Sequence, residues 1–173
     1  MRRQLGPGER RRAARYDGLT PSSPRASALA RTSSAKKNTR PEIVLRTALR
    51  GVGLTNYRID VRDLPGRPDI VFRRAQVAVF CDGDFWHGRD LQARLAKLER
   101  GHNAPYWVQK IAGNAARDRR YDAELARDGW QVLRYWESRL AHDAEAFASE
   151  IKAVVEQRTM GSESRRRSPK RRR

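Results

Sequence analysis

The sequence predicts an α/β domain whose elements run α-β-β-β-α-β-α, set between two basic tails expected to be disordered. Three observations carry this. Two short apolar runs, DIVF at 69–72 and QVAVF at 76–80, have strand length and are separated only by the Arg73–Ala75 link of a hairpin. A third run, WQVLRYW at 130–136, stands after a long helical stretch, and apolar residues recur at helical spacing on either side of the strands. Charge marks off the tails: residues 1–40 carry 11 Lys/Arg against 2 Asp/Glu, residues 158–173 carry 8 against 1, and residues 41–157 carry 19 against 17.

Each element has a local reason. Residues 1–38 hold Pro7, Gly8, Gly18, Pro21 and Pro24 among serines and aperiodic arginines, a composition that buries too little apolar surface to fold alone. The domain is expected over 39–157. Thr39-Arg40-Pro41-Glu42 reads as a helix start, with proline in the first turn and an acid at the positive dipole end. Ile43, Val44, Ala48 and Leu49 form its apolar stripe, and Gly51 and Gly53 stop it. NYRID is a short strand and LPGRP a turn before the hairpin. Residues 91–100 are helical in composition. Tyr106 to Asp128 is a longer helix or helix pair closed by Gly129. Residues 139–157 place Leu140, Ala144, Phe147, Ile151, Val154 and Val155 on one helical face. Residues 158–173 are expected to be a second disordered tail.

A chain of 173 residues allows one domain with a real core. The 38% hydrophobic content and a mean hydropathy of -0.87 agree that part of it does not pack. The single cysteine, Cys81, excludes an intramolecular disulfide and a cysteine-cluster zinc site. A net charge of +18 concentrated in the tails points to a polyanion, above all nucleic acid, bound through counterion release; a solubilising extension is the plainer alternative. No apolar run approaches the ~18 residues of a membrane span, and the N-terminus lacks the apolar stretch of a secretory signal. Its Arg- and Ser-rich composition is compatible with a transit peptide, and SPKRRR with a nuclear address.

The chemistry concentrates in FCDGDFWHG, residues 80–88. Asp69 opens one apolar strand and Asp82 closes the next, so a hairpin brings both to one end of the sheet, beside the backbone carbonyl of Cys81. Carboxylate and carbonyl oxygens with room for water suit a hard divalent cation such as magnesium. A strand-capping role is the alternative for Asp69, and a bulge at Gly83 would exchange Asp82 for Asp84. Glu42 is read first as a dipole-favoured helix-start acid. His87, unlike His102 and His142, sits beside the carboxylates, where a neutral imidazole can accept a proton from water, ligate metal or make a structural hydrogen bond. Phe85 and Trp86 are either core or wedges that stack on bases and kink DNA. Lys110, Asn114 and Arg117 share a helix face that suits phosphate contacts or simple solvation.

Three blocks, LPGRPDIVFRRAQVAVFCDGDFWHG, YWVQKIAGNAARDRR and DGWQVLRYWES, together resemble the very short patch repair endonucleases of the PD-(D/E)XK nuclease superfamily. The resemblance covers roughly residues 38–140. It implies a restriction-endonuclease-like αβββαβ core with a mixed central sheet between helices. It implies a magnesium-dependent enzyme, with manganese able to substitute, that nicks one strand of double-stranded DNA at T:G mismatches left by deamination of 5-methylcytosine. By the same resemblance Asp69 is the metal-binding aspartate and Cys81 offers its backbone carbonyl to the metal. His87 activates water, Glu42 organises the site through water, and Phe85 and Trp86 intercalate. Asp82 is expected to complete the metal shell. The family's structural zinc ligands fall at Asp84, Arg89, Leu91 and Ser138, so no structural zinc is expected, and an Asp84–Arg89 pair is expected to hold the loop instead. The implied setting is a monomer in a bacterial-type cytoplasm, nucleoid-associated, with other repair proteins as further partners. The alternatives are a restriction- or defence-type nuclease without mismatch preference and a non-catalytic DNA-binding protein.

Overall fold

The computed structural model describes residues 38–167. The expectations for the arm at 1–38, Asn38 apart, and for residues 168–173 lie outside the described residues.

Helix α1 spans Arg40–Gly51 with Thr39 as N-cap. The Glu42 carboxylate accepts the Thr39 hydroxyl at 2.8 Å and the Asn38 backbone N–H at 3.0 Å, which fixes the helix entry. Its inner stripe buries Leu45 and Leu49 completely, each contributing on the order of 2 kcal/mol. Strands β1 (Arg58–Ile59), β2 (Ile70–Phe72) and β3 (Val77–Asp82) follow. Then come α2 (Leu91–Glu99), α3 (Ala104–Arg127), β4 (Gln131–Trp136) and α4 (Glu137–Arg167).

The four strands form one mixed sheet in the order β1-β2-β3-β4. β1–β2 and β2–β3 are antiparallel, with Ile70 opposite Val79. β3–β4 is parallel, in register from Val77–Gln131 to Asp82–Trp136. A parallel neighbour needs a long crossover, and residues 83–130 with α2 and α3 supply it. Helices cover both faces of β3, which explains its near-continuous apolar run. On one face Val77 and Val79 pack with Ile70, Phe72, Leu45, Leu49, Leu140 and Ile151. On the other, Ala78 and Phe80 pack with Leu125, Leu64, Trp130 and Val132.

The expected α/β order and mixed sheet are present, with two differences. The buried stripe of α1 is Leu45 and Leu49, while Ile43, expected on it, is 47% exposed; the separate helices expected at 91–100 and 106–128 are present, parted at Asn103 with its left-handed φ of 57°. α4, interrupted at Asp143, continues through Arg167 rather than ending near 157, so the first ten residues of the expected tail are helical. Arg158 accounts for part of this: its guanidinium donates to the carbonyls of Ala75 at 2.7 Å and Gly129 at 2.6 Å, docking the helix against two turns remote in sequence. Among the described residues no helix is long and apolar enough to cross a membrane.

Candidate active site

The antiparallel β2–β3 pairing sets the start of β2 against the end of β3. Asp69 therefore stands beside Cys81, and its Oδ2 accepts the Cys81 backbone N–H at 2.8 Å. In an antiparallel ladder the N–H and C=O of one residue face the same edge, so the Cys81 carbonyl is turned toward Asp69 as well. Burial pushes the Cys81 thiol up, and the carboxylates of Asp69, Glu42 and Asp82 push in the same direction, with Arg46 opposing. Of these acids only Asp69 is hydrogen-bonded to Cys81; both Glu42 oxygens are taken up at the start of α1 by Asn38 N and Thr39 Oγ1. Among the described residues no three His, Cys, Asp or Glu side chains are grouped closely enough to hold a metal ion alone. The Asp69 carboxylate and the Cys81 carbonyl are hard oxygens, and magnesium commonly takes only one or two carboxylates, keeping waters and substrate phosphates for the rest of its shell.

Asp82 is committed elsewhere. Only 3% exposed, it receives the Arg134 guanidinium on both oxygens, at 2.7 and 2.9 Å. Arg134 also donates to Asp122 and lies over the Phe80 ring at 4.2 Å. The expectation that Asp82 completes a metal shell is corrected accordingly: a buried carboxylate needs a cation, and β4 supplies one from the neighbouring strand. Asp84, its alternative, accepts Arg89 Nη1 at 2.8 Å, as expected, and also Ser138 Oγ at 2.8 Å and Ser138 N at 3.0 Å.

His87 lies beside a partner the sequence reading missed. Its Nδ1 is 2.7 Å from Asp118 Oδ2 on α3 and 3.5 Å from Asp82 Oδ1. Desolvation raises the Asp118 carboxyl, but the hydrogen bond and charge of His87, with Arg134 and Arg117 nearby, outweigh it and hold the group below the usual carboxylate range. A carboxylate on Nδ1 orients the ring and favours the tautomer whose Nε2 is free to accept a proton. His102 and His142 are exposed.

Phe85 and Trp86 are half-buried and form a cluster with Trp107 of α3: the centroids are 5.1 Å apart for Phe85–Trp86, 5.7 Å for Phe85–Trp107 and 5.9 Å for Trp86–Trp107. Trp107 is the second residue missed. Asn114 needs correction too. It is buried, donates to the Trp86 carbonyl at 2.9 Å and accepts Arg117 Nη2 at 2.9 Å, so it pins the aromatic loop instead of presenting itself to phosphate. Lys110 and Arg117 remain half-buried on the same helix. Gly88, with φ of 69°, seats the end of the loop where a Cβ would come within 2.9 Å of Leu91 Cδ1.

A strand-end carboxylate, a histidine held by a carboxylate and an aromatic loop thus meet at one end of a mixed α/β sheet. A family profile described as DNA mismatch endonuclease Vsr matches residues 17–93. The type II nicking enzyme V.HpaIIP of Haemophilus parainfluenzae is 36% identical over 128 residues, 74% of this chain and 89% of its own. The DNA mismatch endonuclease Vsr of Escherichia coli K12 is 36% identical over 106 residues, 61% of this chain and 65% of its own. The chain belongs to the Vsr family of DNA endonucleases.

Proposed function

We propose that the protein nicks one strand of double-stranded DNA at T:G mismatches, with magnesium, in the repair of deaminated 5-methylcytosine. The observation that carries the reading is the 2.7 Å contact of His87 with Asp118 of α3, which fixes the histidine on the loop that bears Phe85 and Trp86 and leaves the sheet at the strand end where Asp69 meets Cys81. Asp69 and the Cys81 carbonyl would hold the ion, with Glu42 acting through water; bound there, magnesium would polarise the phosphate and lower the pKa of water, and manganese has the same oxygen preference. The water oxygen forms the new bond to phosphorus, its proton passes to Nε2 of His87, and the P–O bond to the departing strand breaks. Asp118 stabilises the imidazolium that results. Phe85, Trp86 and Trp107 stack on bases exposed at the mismatch, while Lys110 and Arg117 meet phosphates. The enzyme acts as a monomer on nucleoid DNA in the cytoplasm, beside other repair proteins.

A second reading, nicking without mismatch preference in a restriction setting, is favoured by one finding: several relatives, including that of Haemophilus parainfluenzae, are described as type II nicking enzymes. Matched and T:G duplexes labelled on each strand, with magnesium or EDTA, separate the two. Nicking beside the mismatch alone is the expected outcome; equal cutting of both duplexes moves the function to the second reading. Asp69→Ala should lose at least ~10³-fold in rate, about 4 kcal/mol of barrier, and near-normal nicking by that variant would remove Asp69 from the site.

A further inference from the structure

The loop at 83–90 is anchored on two sides by different chemistry. On the α3 side it is held by the Asn114 amide on the Trp86 carbonyl and by Asp118 on His87. On the α4 side it is held by Asp84, whose carboxylate gathers Arg89 Nη1, Ser138 Oγ and the Ser138 backbone N–H. Arg89 Nη1 also contacts Ser138 Oγ. The main chain closes the same ring, with Arg89 N donating to the Asp84 carbonyl at 3.1 Å. Phe85, Trp86 and His87 are thus enclosed between two residues bonded to each other twice and stapled to the first turn of α4.

We infer that Asp84, Arg89 and Ser138 form a clasp that positions Phe85 and Trp86 for DNA, and that these three residues govern how well the duplex is engaged while touching no reacting atom. The inference rests on the reading that the two aromatics contact DNA. Three features support it. Asp84 directly precedes Phe85, so its anchorage limits the backbone freedom of the first aromatic. Ser138 is 54 residues away in sequence, so the staple is a tertiary tie and not a local turn. The Asp84 and Arg89 side chains are only 19% and 34% exposed, so the pair is partly shielded from the screening that weakens surface ion pairs. Desolvation raises the Asp84 carboxyl, but the bonds from Arg89 and Ser138 together lower it below the usual range. A loop already ordered in its bound shape avoids the ordering cost that binding otherwise carries.

The two anchors separate the consequences. Opening the clasp frees the Phe85 side, while Asp118 still orients His87. DNA engagement should therefore fall while the chemical step of bound substrate persists. The test uses full-length protein and duplexes, T:G and matched, carrying 2-aminopurine beside the mismatch position. Affinity and 2-aminopurine fluorescence are read in EDTA, single-turnover nicking is read at saturating DNA with magnesium, and thermal melts confirm folding. Asp84→Asn and Arg89→Gln are expected to bind roughly tenfold more weakly, to lose most of the fluorescence change, and to nick within about threefold of wild type once saturated. Arg89→Lys should recover part of the binding. Unchanged affinity and fluorescence in the folded variants would overturn the clasp, as would a nicking rate that falls in step with thermal stability. Trp86→Ala tells the two failures apart. If it abolishes the fluorescence change and the clasp variants do not, the clasp alone fails; if it leaves the change intact, the aromatic reading fails and the clasp falls with it.

Discussion

Asp118→Asn tests the central geometry most sharply. The wild-type carboxylate sits 2.7 Å from His87 Nδ1, and among the described residues the only other acid paired with that nitrogen, Asp82 at 3.5 Å, has both oxygens engaged by Arg134. An asparagine of the same shape has two options. It can turn its carbonyl to Nδ1–H, exchanging a charge-assisted bond for a neutral one of about half the strength. Or it can present its NH₂, driving the ring proton to Nε2, the atom proposed to accept the proton of water. A lost bond to a charged group is worth roughly 1.5–3 kcal/mol, and the imidazolium formed during the reaction loses its counter-charge in either case. The expected loss is therefore on the order of 10²-fold in the single-turnover rate, about 2.7 kcal/mol, with little change in KM. End-labelled duplex at saturating concentration, assayed from pH 5.5 to 9 (a range of about 3.5 units around the usual histidine value), gives both the rate and the pH profile. A variant within about threefold of wild type with the same profile would refute the assignment of Asp118 as the residue that orients His87.

Further outcomes follow from the charged groups around that pair. Arg134→Met should leave Asp82 buried without its cation and cost about 3–5 kcal/mol in urea unfolding; adding Asp82→Asn should recover much of it, and a single variant as stable as wild type would show the pair to be unimportant. The carboxyls of Asp118 and Asp84 lie below their ordinary value of 3.8 in the folded protein. The unfolded chain therefore takes up protons first as the medium becomes acidic. The stability these groups contribute is fully present above the ordinary value and is lost as pH falls through their lower folded values. Urea midpoints should decline accordingly below about pH 4, less steeply in Asp118→Asn, and a decline of equal slope in that variant would remove Asp118 as a source.

Much of the fold was legible because the strands announce themselves. DIVF and QVAVF are apolar on both faces and close enough to be a hairpin, and WQVLRYW follows a helix long enough for a crossover. What was missed depends on pairings across the chain. Asp118 looks like one more charge in NAARDRR, yet it falls on the buried stripe of Ile111, Asn114, Ala115 and Leu125, and an acid at that spacing was the available signal. Arg134 interrupts an apolar strand and is set in register opposite Phe80; read that way, it called for a buried acid nearby, and Asp82 is that acid. Nothing local distinguished Arg158 from the tail, because its acceptors are backbone carbonyls at Ala75 and Gly129.

The site also explains why this sheet must be mixed. A hairpin alone brings Asp69 to Cys81, since the start of β2 opposes the end of β3. It leaves the loop after β3 with nothing to lean on. The parallel β3–β4 pairing sends both strands out of the sheet at the same end, with Asp82 beside Trp136, so the aromatic loop and the start of α4 emerge together and Asp84 can reach Ser138. Register then becomes a functional quantity. A one-residue slip of β3 against β2 would exchange the faces of Cys81 and Asp82, turning the acid now neutralised by Arg134 toward the Asp69 corner and the thiol toward His87. The Ile70–Val79 pair and the complete burial of Val77 and Val79 on the α1 and α4 side resist that slip. The apolar core thereby decides which oxygens stand at the Asp69–Cys81 corner.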